Sequence, residues 1–156
     1  MSSVLPPRLL RPLSLPLRLM PTTFHSRALA RILNQVMKEA IADGELDFLE
    51  GRQVAIEIAD MGVRYRLGFE NGRIQGYGEQ RPADASIAGD TREFMMLAAR
   101  QEDADTLFFQ RRLRMSGSTE LGLYLKNFLD AFEPPERWQP LTRAIDRMAG
   151  VRFPGH

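Results

Sequence analysis

The stretch Val63-Arg-Tyr-Arg-Leu-Gly-Phe-Glu-Asn-Gly-Arg-Ile-Gln-Gly-Tyr-Gly78 decides the fold class. Val63, Tyr65, Leu67 and Phe69 alternate with Arg64, Arg66 and Gly68, the period of two that puts one side of a strand in a core. Asn71-Gly72 follows at once, and this pair takes the two left-handed positions of a type I′ hairpin turn more readily than other dipeptides. Arg73 to Gly78 is therefore the return strand, with Ile74 and Tyr77 as its bulk. Gly76 and Gly78 mark a bulge or a close backbone approach. Upstream, Val54, Ile56 and Ile58 alternate with Ala55 and Glu57; downstream, a short strand spans about Asp84 to Ala88.

Helical periodicity surrounds these strands. After Thr22 or Thr23, Leu29, Ile32, Leu33, Val36 and Ala40 share one face of a helix that runs to about Asp43 and stops at Gly44. Asp90-Thr-Arg-Glu93 reads as an N-cap followed by an acid in the first turn of a helix over 91–101. Phe108 to Met115 predicts a strand, with Phe109, Leu113 and Met115 on one side and Arg112 and Arg114 on the other. Gly117-Ser118 turns the chain into a helix over 118–132 whose stripe is Leu121, Leu125, Phe128, Leu129 and Phe132, ended by Pro134-Pro135. A last helix begins near Pro140 within Glu136 to Gly150. Strands and helices thus run in blocks, an α+β pattern rather than strict βαβ alternation. The expected divisions are an arm over 1–21, a domain over 22–133, and a C-terminal helix and tail over 134–156.

The 156 residues suffice for one domain with its own core. The chain has no cysteine, which removes disulfides, thiol nucleophiles and thiolate metal sites, and fits a reducing cytoplasm. No apolar run approaches the roughly 20 residues of a membrane-spanning helix. The arm contains Pro6, Pro7, Pro12, Pro16 and Pro21 among leucines and Arg8, Arg11 and Arg18, so neither a secretory signal nor a helical presequence fits it well. Six basic residues and no acidic one precede Glu39, whereas the remainder is net acidic. A basic, leucine-rich arm on an acidic body suggests contact of Arg8, Arg11 and Arg18 with anionic headgroups; the plainer alternative is a tail packed on the domain.

Catalytic motifs are sparse. His25 and His156 are the only histidines, and neither has neighbours that would make a metal site or a nucleophile–base pair. A carboxylate pair formed only in space is left open. No Gly-rich phosphate loop occurs, and Ser116-Gly117-Ser118 lacks the nucleophile-elbow pattern. Arg111, Arg112 and Arg114 beside Phe108 and Phe109 resemble a single-strand nucleic-acid surface, but the acidic body and the lack of a recognition motif favour a solvated strand face. These features point to no enzyme, metal, cofactor or nucleic acid.

The informative excess is apolar. Phe94, Met95, Met96, Leu97, Ala98 and Ala99 exceed one buried stripe, and Leu123 and Tyr124 widen the stripe of the later helix. Methionine suits surfaces that accommodate variable apolar partners. Ordinary core covered by the final helix, or a dimer interface, would look the same.

Two motifs resemble the sterol carrier protein type 2 domain. Ala83-Asp-Ala-Ser-Ile-Ala-Gly-Asp90 with the helix after it is similar to that family's short strand, Gly-Asp turn and helix. Leu113-Arg-Met-Ser-Gly-Ser118 is similar to its last strand, with Ser118 in place of the usual acid. More narrowly, Asp105-Thr-Leu-Phe-Phe-Gln-Arg-Arg-Leu113, Thr119 to Asp130 and Pro16 to Pro21 resemble bacterial ubiquinone-biosynthesis accessory factors. The resemblance implies a mainly antiparallel five-stranded sheet covered by helices, with an apolar cavity between them. It implies a non-catalytic carrier of polyprenylated ubiquinone precursors, cytoplasmic and peripherally membrane-associated. Such a carrier would present its cargo to the proteins of oxygen-independent ring hydroxylation. Candidate liners are then Phe94, Leu97, Phe108, Phe109, Leu113, Leu121, Leu125, Phe128 and Leu129. A long tail would overfill such a pocket, emerging from it or being shielded by a second subunit in a homodimer. The competing readings are a phospholipid-binding membrane-recruitment module, an enzyme with a spatial carboxylate site, and a scaffold with a filled core.

Overall fold

Asn71 and Gly72 both have positive φ, 55° and 72°, so the hairpin turn is of the expected left-handed kind. The computed structural model describes residues 22–78, 82–133, 135–140, 143, 144 and 147. The strands are β1 (Gln53–Ile58), β2 (Val63–Glu70), β3 (Arg73–Gly76), β4 (Ala85–Gly89) and β5 (Arg114–Gly117). The helices are α1 (Thr22–Val36), α2 (Lys38–Ala42), α3 (Thr91–Ala98), α4 (Ala104–Phe109) and α5 (Thr119–Ala131). Arg8, Arg11 and Arg18, and most of the expected last helix, lie outside the described residues.

The sheet has five strands in the order β3-β2-β1-β4-β5. Three of its pairings are antiparallel, but β4 lies parallel to β1, so the sheet is mixed. Asp84 fixes that register: its carboxylate accepts the Gln53 N–H at 2.7 Å and its own N–H donates to the Gln53 carbonyl at 2.8 Å. Val54, Ile56, Leu67, Phe69, Ile74, Ala85, Ile87 and Met115 fall on one face by alternation and pack against the helices.

Helix α1 is fastened to the β2–β3 half of this face by polar bonds. Ser26, fully buried, accepts the backbone N–H of Arg66 at 2.7 Å. Two turns later, Asn34 accepts the N–H of Ile74 at 2.8 Å and donates to its carbonyl at 2.9 Å. The Asn34 amide thereby stands in for the missing neighbour of edge strand β3. Between them, a Cβ on Gly76 would collide with the backbone of Ser26 and Arg27, so the close approach expected at this glycine is filled by α1.

Three expectations about the helices and strands need correction. The first helix is interrupted at Met37, giving α1 and α2, and Ile32 faces outward, 52% exposed. The residues read as a strand from Phe108 begin in a helix instead. Asp103 caps α4 by accepting the Thr106 N–H at 2.7 Å, which starts a helical turn where the alternation suggested extension. Helix α3 has the extended N-cap backbone at Asp90, but the cap is supplied from afar. Asp60 accepts both the N–H and the hydroxyl of Thr91, each at 2.9 Å.

Replacing Asn34 by alanine removes two hydrogen bonds from an edge strand and should cost about 2 kcal/mol in urea unfolding. A loss below about 0.5 kcal/mol would show that α1 is held by apolar contacts alone.

Candidate functional site

The apolar face of the sheet supports two buried clusters side by side. One joins Ala30 of α1 with Leu46, Leu67, Phe69 and Ile74. The other joins Val54, Ala85 and Ile87 of the sheet with Leu107 of α4, Leu113, and Leu121 and Leu125 of α5. Phe48, Leu49 and Ile56 touch both, so the turn over Asp47–Leu49 wedges between the helical covers. Tyr124 and Phe128 on α5 and Phe132 just past its end recur every four residues. Phe48 lies 5.8 Å from Tyr124 and 6.2 Å from Phe128, ring centre to ring centre, and Phe128 lies 5.6 Å from Phe132.

Eight of the nine candidate liners stand in or against these clusters. Leu113, Leu121 and Leu125 are buried; Phe94, Leu97, Phe108 and Leu129 pack around them, and Phe128 packs on the other cluster. Phe109 is the exception: it is 87% exposed, because α4 turns Leu107 and Phe108 inward and Phe109 away. Among the described residues no enclosed cavity separates the sheet from the helices. The two clusters of buried side chains lie where the hollow was expected.

An open groove of about 320 Å³ lies beside edge strand β5, at the start of α5. Phe108, Met115, Gly122 and Leu123 form its apolar wall; Ser116, Gly117, Ser118, Thr119 and Lys126 complete it. Of these only Phe108 was a candidate liner. The sequence signal for the groove is Gly122, a glycine on the face of an apolar helix. A Cβ there would run into the Met115 thioether, so α5 approaches the edge strand through this notch. Ser118 caps α5 by accepting the Leu121 N–H at 3.2 Å.

Arg112 was expected on a solvated strand face. Instead it reaches back, 3.4 Å from Glu93 and 2.6 Å from Glu102, and ties α3 to the turn after α4. His25 is buried edge-on against Tyr65, ring centres 6.0 Å apart, and burial pushes the Tyr65 hydroxyl above its ordinary pKa. Among the described residues no group of three or more His, Asp or Glu side chains stands together as a metal site would require. Nor is any described helix long and apolar enough to cross a membrane.

A mixed sheet with helices packed on its apolar face, and a groove at the β5 edge, is the arrangement to compare with known proteins. The family model described as the SCP-2 sterol transfer family matches residues 29–130. The chain belongs to the SCP-2 sterol transfer family. The ubiquinone biosynthesis accessory factor UbiT of Escherichia coli strain K12 is 42% identical over 137 residues, 88% of this chain and 78% of that protein. The UbiT of Escherichia coli O157:H7 matches to the same extent. Among solved structures, the UbiJ-SCP2 ubiquinone synthesis protein superposes with a TM-score of 0.56 at 17% identity. The match covers 69% of this chain and 94% of that one, and it shows a shared fold. In this SCP-2 domain, then, the helices lie on the apolar face of the sheet.

The two ends of the candidate set should respond oppositely to truncation. Leu121→Ala, at a fully buried position, should cost about 3 kcal/mol in urea unfolding, whereas Phe109→Ala should stay within about 0.5 kcal/mol of the parent. Equal losses at both would contradict their placement.

Proposed function

We propose that this chain is a non-catalytic lipid carrier that binds polyprenylated ubiquinone precursors and presents them to other ubiquinone-biosynthesis proteins. The observation that carries the reading is the 42% identity to a ubiquinone biosynthesis accessory factor across 88% of the chain, within a lipid-carrier fold family. The groove supplies a place to begin. Its apolar wall meets a rim of hydroxyl groups and Lys126, whose ammonium is paired with Asp105 at 2.8 Å, chemistry that suits an apolar guest with a polar head.

At about 320 Å³ the groove is at the small end for a ligand site and holds only part of a polyprenyl chain. The remainder goes where the cover yields. Helix α1 is held by the Ser26 and Asn34 bonds and by the Gly76 contact, whereas α5 meets the sheet through apolar side chains. Parting α5 from β4 and β5 exposes Leu121, Leu125 and Leu113, and a tail laid there restores their burial at about 0.8 kcal/mol per covered methylene. Met115, flexible and polarisable, adjusts at the notch. In this reading the cavity forms with its guest. Phe94, Leu97, Phe108, Leu113, Leu121, Leu125, Phe128 and Leu129 then act as liners of the loaded state.

Mass spectrometry of protein gently purified from its host should find an extractable isoprenoid. Phospholipid alone would favour a membrane-recruitment module, and no lipid at all would favour a filled scaffold. Leu123→Trp, at a 53% exposed position on the groove wall, should leave the unfolding midpoint unchanged and reduce isoprenoid content several-fold. Undiminished loading would place the guest elsewhere.

A further inference from the structure

Three helices end in the same way, with the second residue past the helix in the left-handed conformation and two backbone bonds closing the turn. For α2 that residue is Gly44, φ 77°, where Gly44 and Glu45 donate to the carbonyls of Ile41 and Ala40. For α3 it is Arg100, φ 59°, with Arg100 and Gln101 donating to Leu97 and Met96. For α4 it is Arg111, φ 59°, with Arg111 and Arg112 donating to Phe108 and Leu107. Glycine adopts this conformation freely and arginine does not.

At Arg100 the reason for arginine is visible. Its guanidinium donates to the carbonyls of Leu129 at 3.1 Å and Asp130 at 3.0 Å, closing the end of α5. Arg111 has the same strained backbone, yet its exposed side chain makes no hydrogen bond or ion pair among the described residues. Two residues before it stands Phe109, the most exposed large apolar side chain described. Three residues after it stands Arg114, also exposed and without a side-chain partner among the described residues. Arg112 and Leu113 between them turn inward. Of the acids close by in α4 and α5, Asp105 is paired with Lys126 at 2.8 Å, Asp103 caps its own helix, and Glu120 is exposed on the first turn of α5. Phe108, next to Phe109, lines the groove.

We propose that the turn Phe109 to Arg114 docks on an anionic phospholipid bilayer, with Phe109 entering the acyl boundary and Arg111 and Arg114 meeting phosphate groups. An exposed aromatic flanked by unpaired guanidinium groups is the chemistry that such a surface recognises. The strained arginine is retained because its charge is used outside the molecule. That the docked turn brings the groove mouth to the membrane rests on the carrier reading; the docking itself does not.

The full chain carrying Phe109→Trp and Trp138→Phe has a single tryptophan reporter. Its emission should shift to the blue with phosphatidylglycerol–phosphatidylcholine vesicles and stay unchanged with phosphatidylcholine alone. Co-sedimentation with the mixed vesicles but no shift would put the contact elsewhere in the chain and overturn the proposal, as would an equal shift with both vesicles. Arg111→Gly is the second arm. It should raise the melting temperature while weakening mixed-vesicle affinity about fivefold, the two effects running in opposite directions. A lowered melting temperature, or unchanged affinity, would contradict the proposed role. Isoprenoid found in the purified protein together with a silent tryptophan reporter would sink the docking and leave the carrier standing.

Discussion

Gly76 leaves room for a hydrogen atom and nothing larger between β3 and the backbone of Ser26, and this contact seats α1 on the β2–β3 half of the sheet. With α1 seated there, the Ser26 and Asn34 bonds form without strain, and the β2–β3 half of the sheet acquires a cover held by directional interactions. Each of those bonds is lost entirely if the helix shifts by an ångström or two. Apolar contacts are different: they are non-directional and scale with area, so one apolar surface can replace another at small cost. The α5 half is covered in this second way. If the chain carries lipid as proposed, the first half is the rigid one and the second the exchangeable one, and the two are joined through Phe48, Leu49 and Ile56.

The polar groups near the exchangeable half keep it registered rather than locked. Asp84 joins β4 to β1, its carbonyl accepts the Ser118 N–H at 2.8 Å, and Ser118 then caps α5. The start of α5 is therefore anchored to the sheet, and its other end is held by Arg100. The middle, where Leu121, Leu125 and Phe128 lie, packs through apolar side chains, and Lys126 beside them ties it to Asp105 of α4 rather than to the sheet. Helix α3 is held separately, by Asp60 at its start and by Arg112 on its Glu93. A helix fixed at both ends over an apolar midsection is suited to bowing, and on the carrier reading a bowed α5 is the simplest route to space for a guest.

Much of the fold was legible because its signals are local. The Asn71-Gly72 turn, the alternation of β2, the stop at Gly44 and the turn into α5 at Gly117-Ser118 each involve residues within a few positions of one another. What was not legible is long-range. Asp60 caps a helix thirty-one residues on, and Ser26 and Asn34 find strand backbone forty residues away. Nothing near these residues in sequence announces a partner. The α4 error has a different origin. Leu107, Phe108 and Phe109 read equally well as strand or helix, and the Asp103 cap decides between them. A strand would have turned Phe109 inward with Leu113, whereas the helix turns it out to solvent next to the groove. The groove itself has one local mark, Gly122, whose meaning depends on Met115 lying opposite.

The central claim is that α5 yields to a guest while α1 does not. Amide hydrogen exchange on delipidated and lipid-loaded protein tests it directly. The account predicts that mid-helix amides of Thr119–Ala131 exchange well before those of Thr22–Val36 in the empty protein, and that loading slows the former selectively. Equal protection of both helices in the empty state, unchanged by lipid, would contradict it.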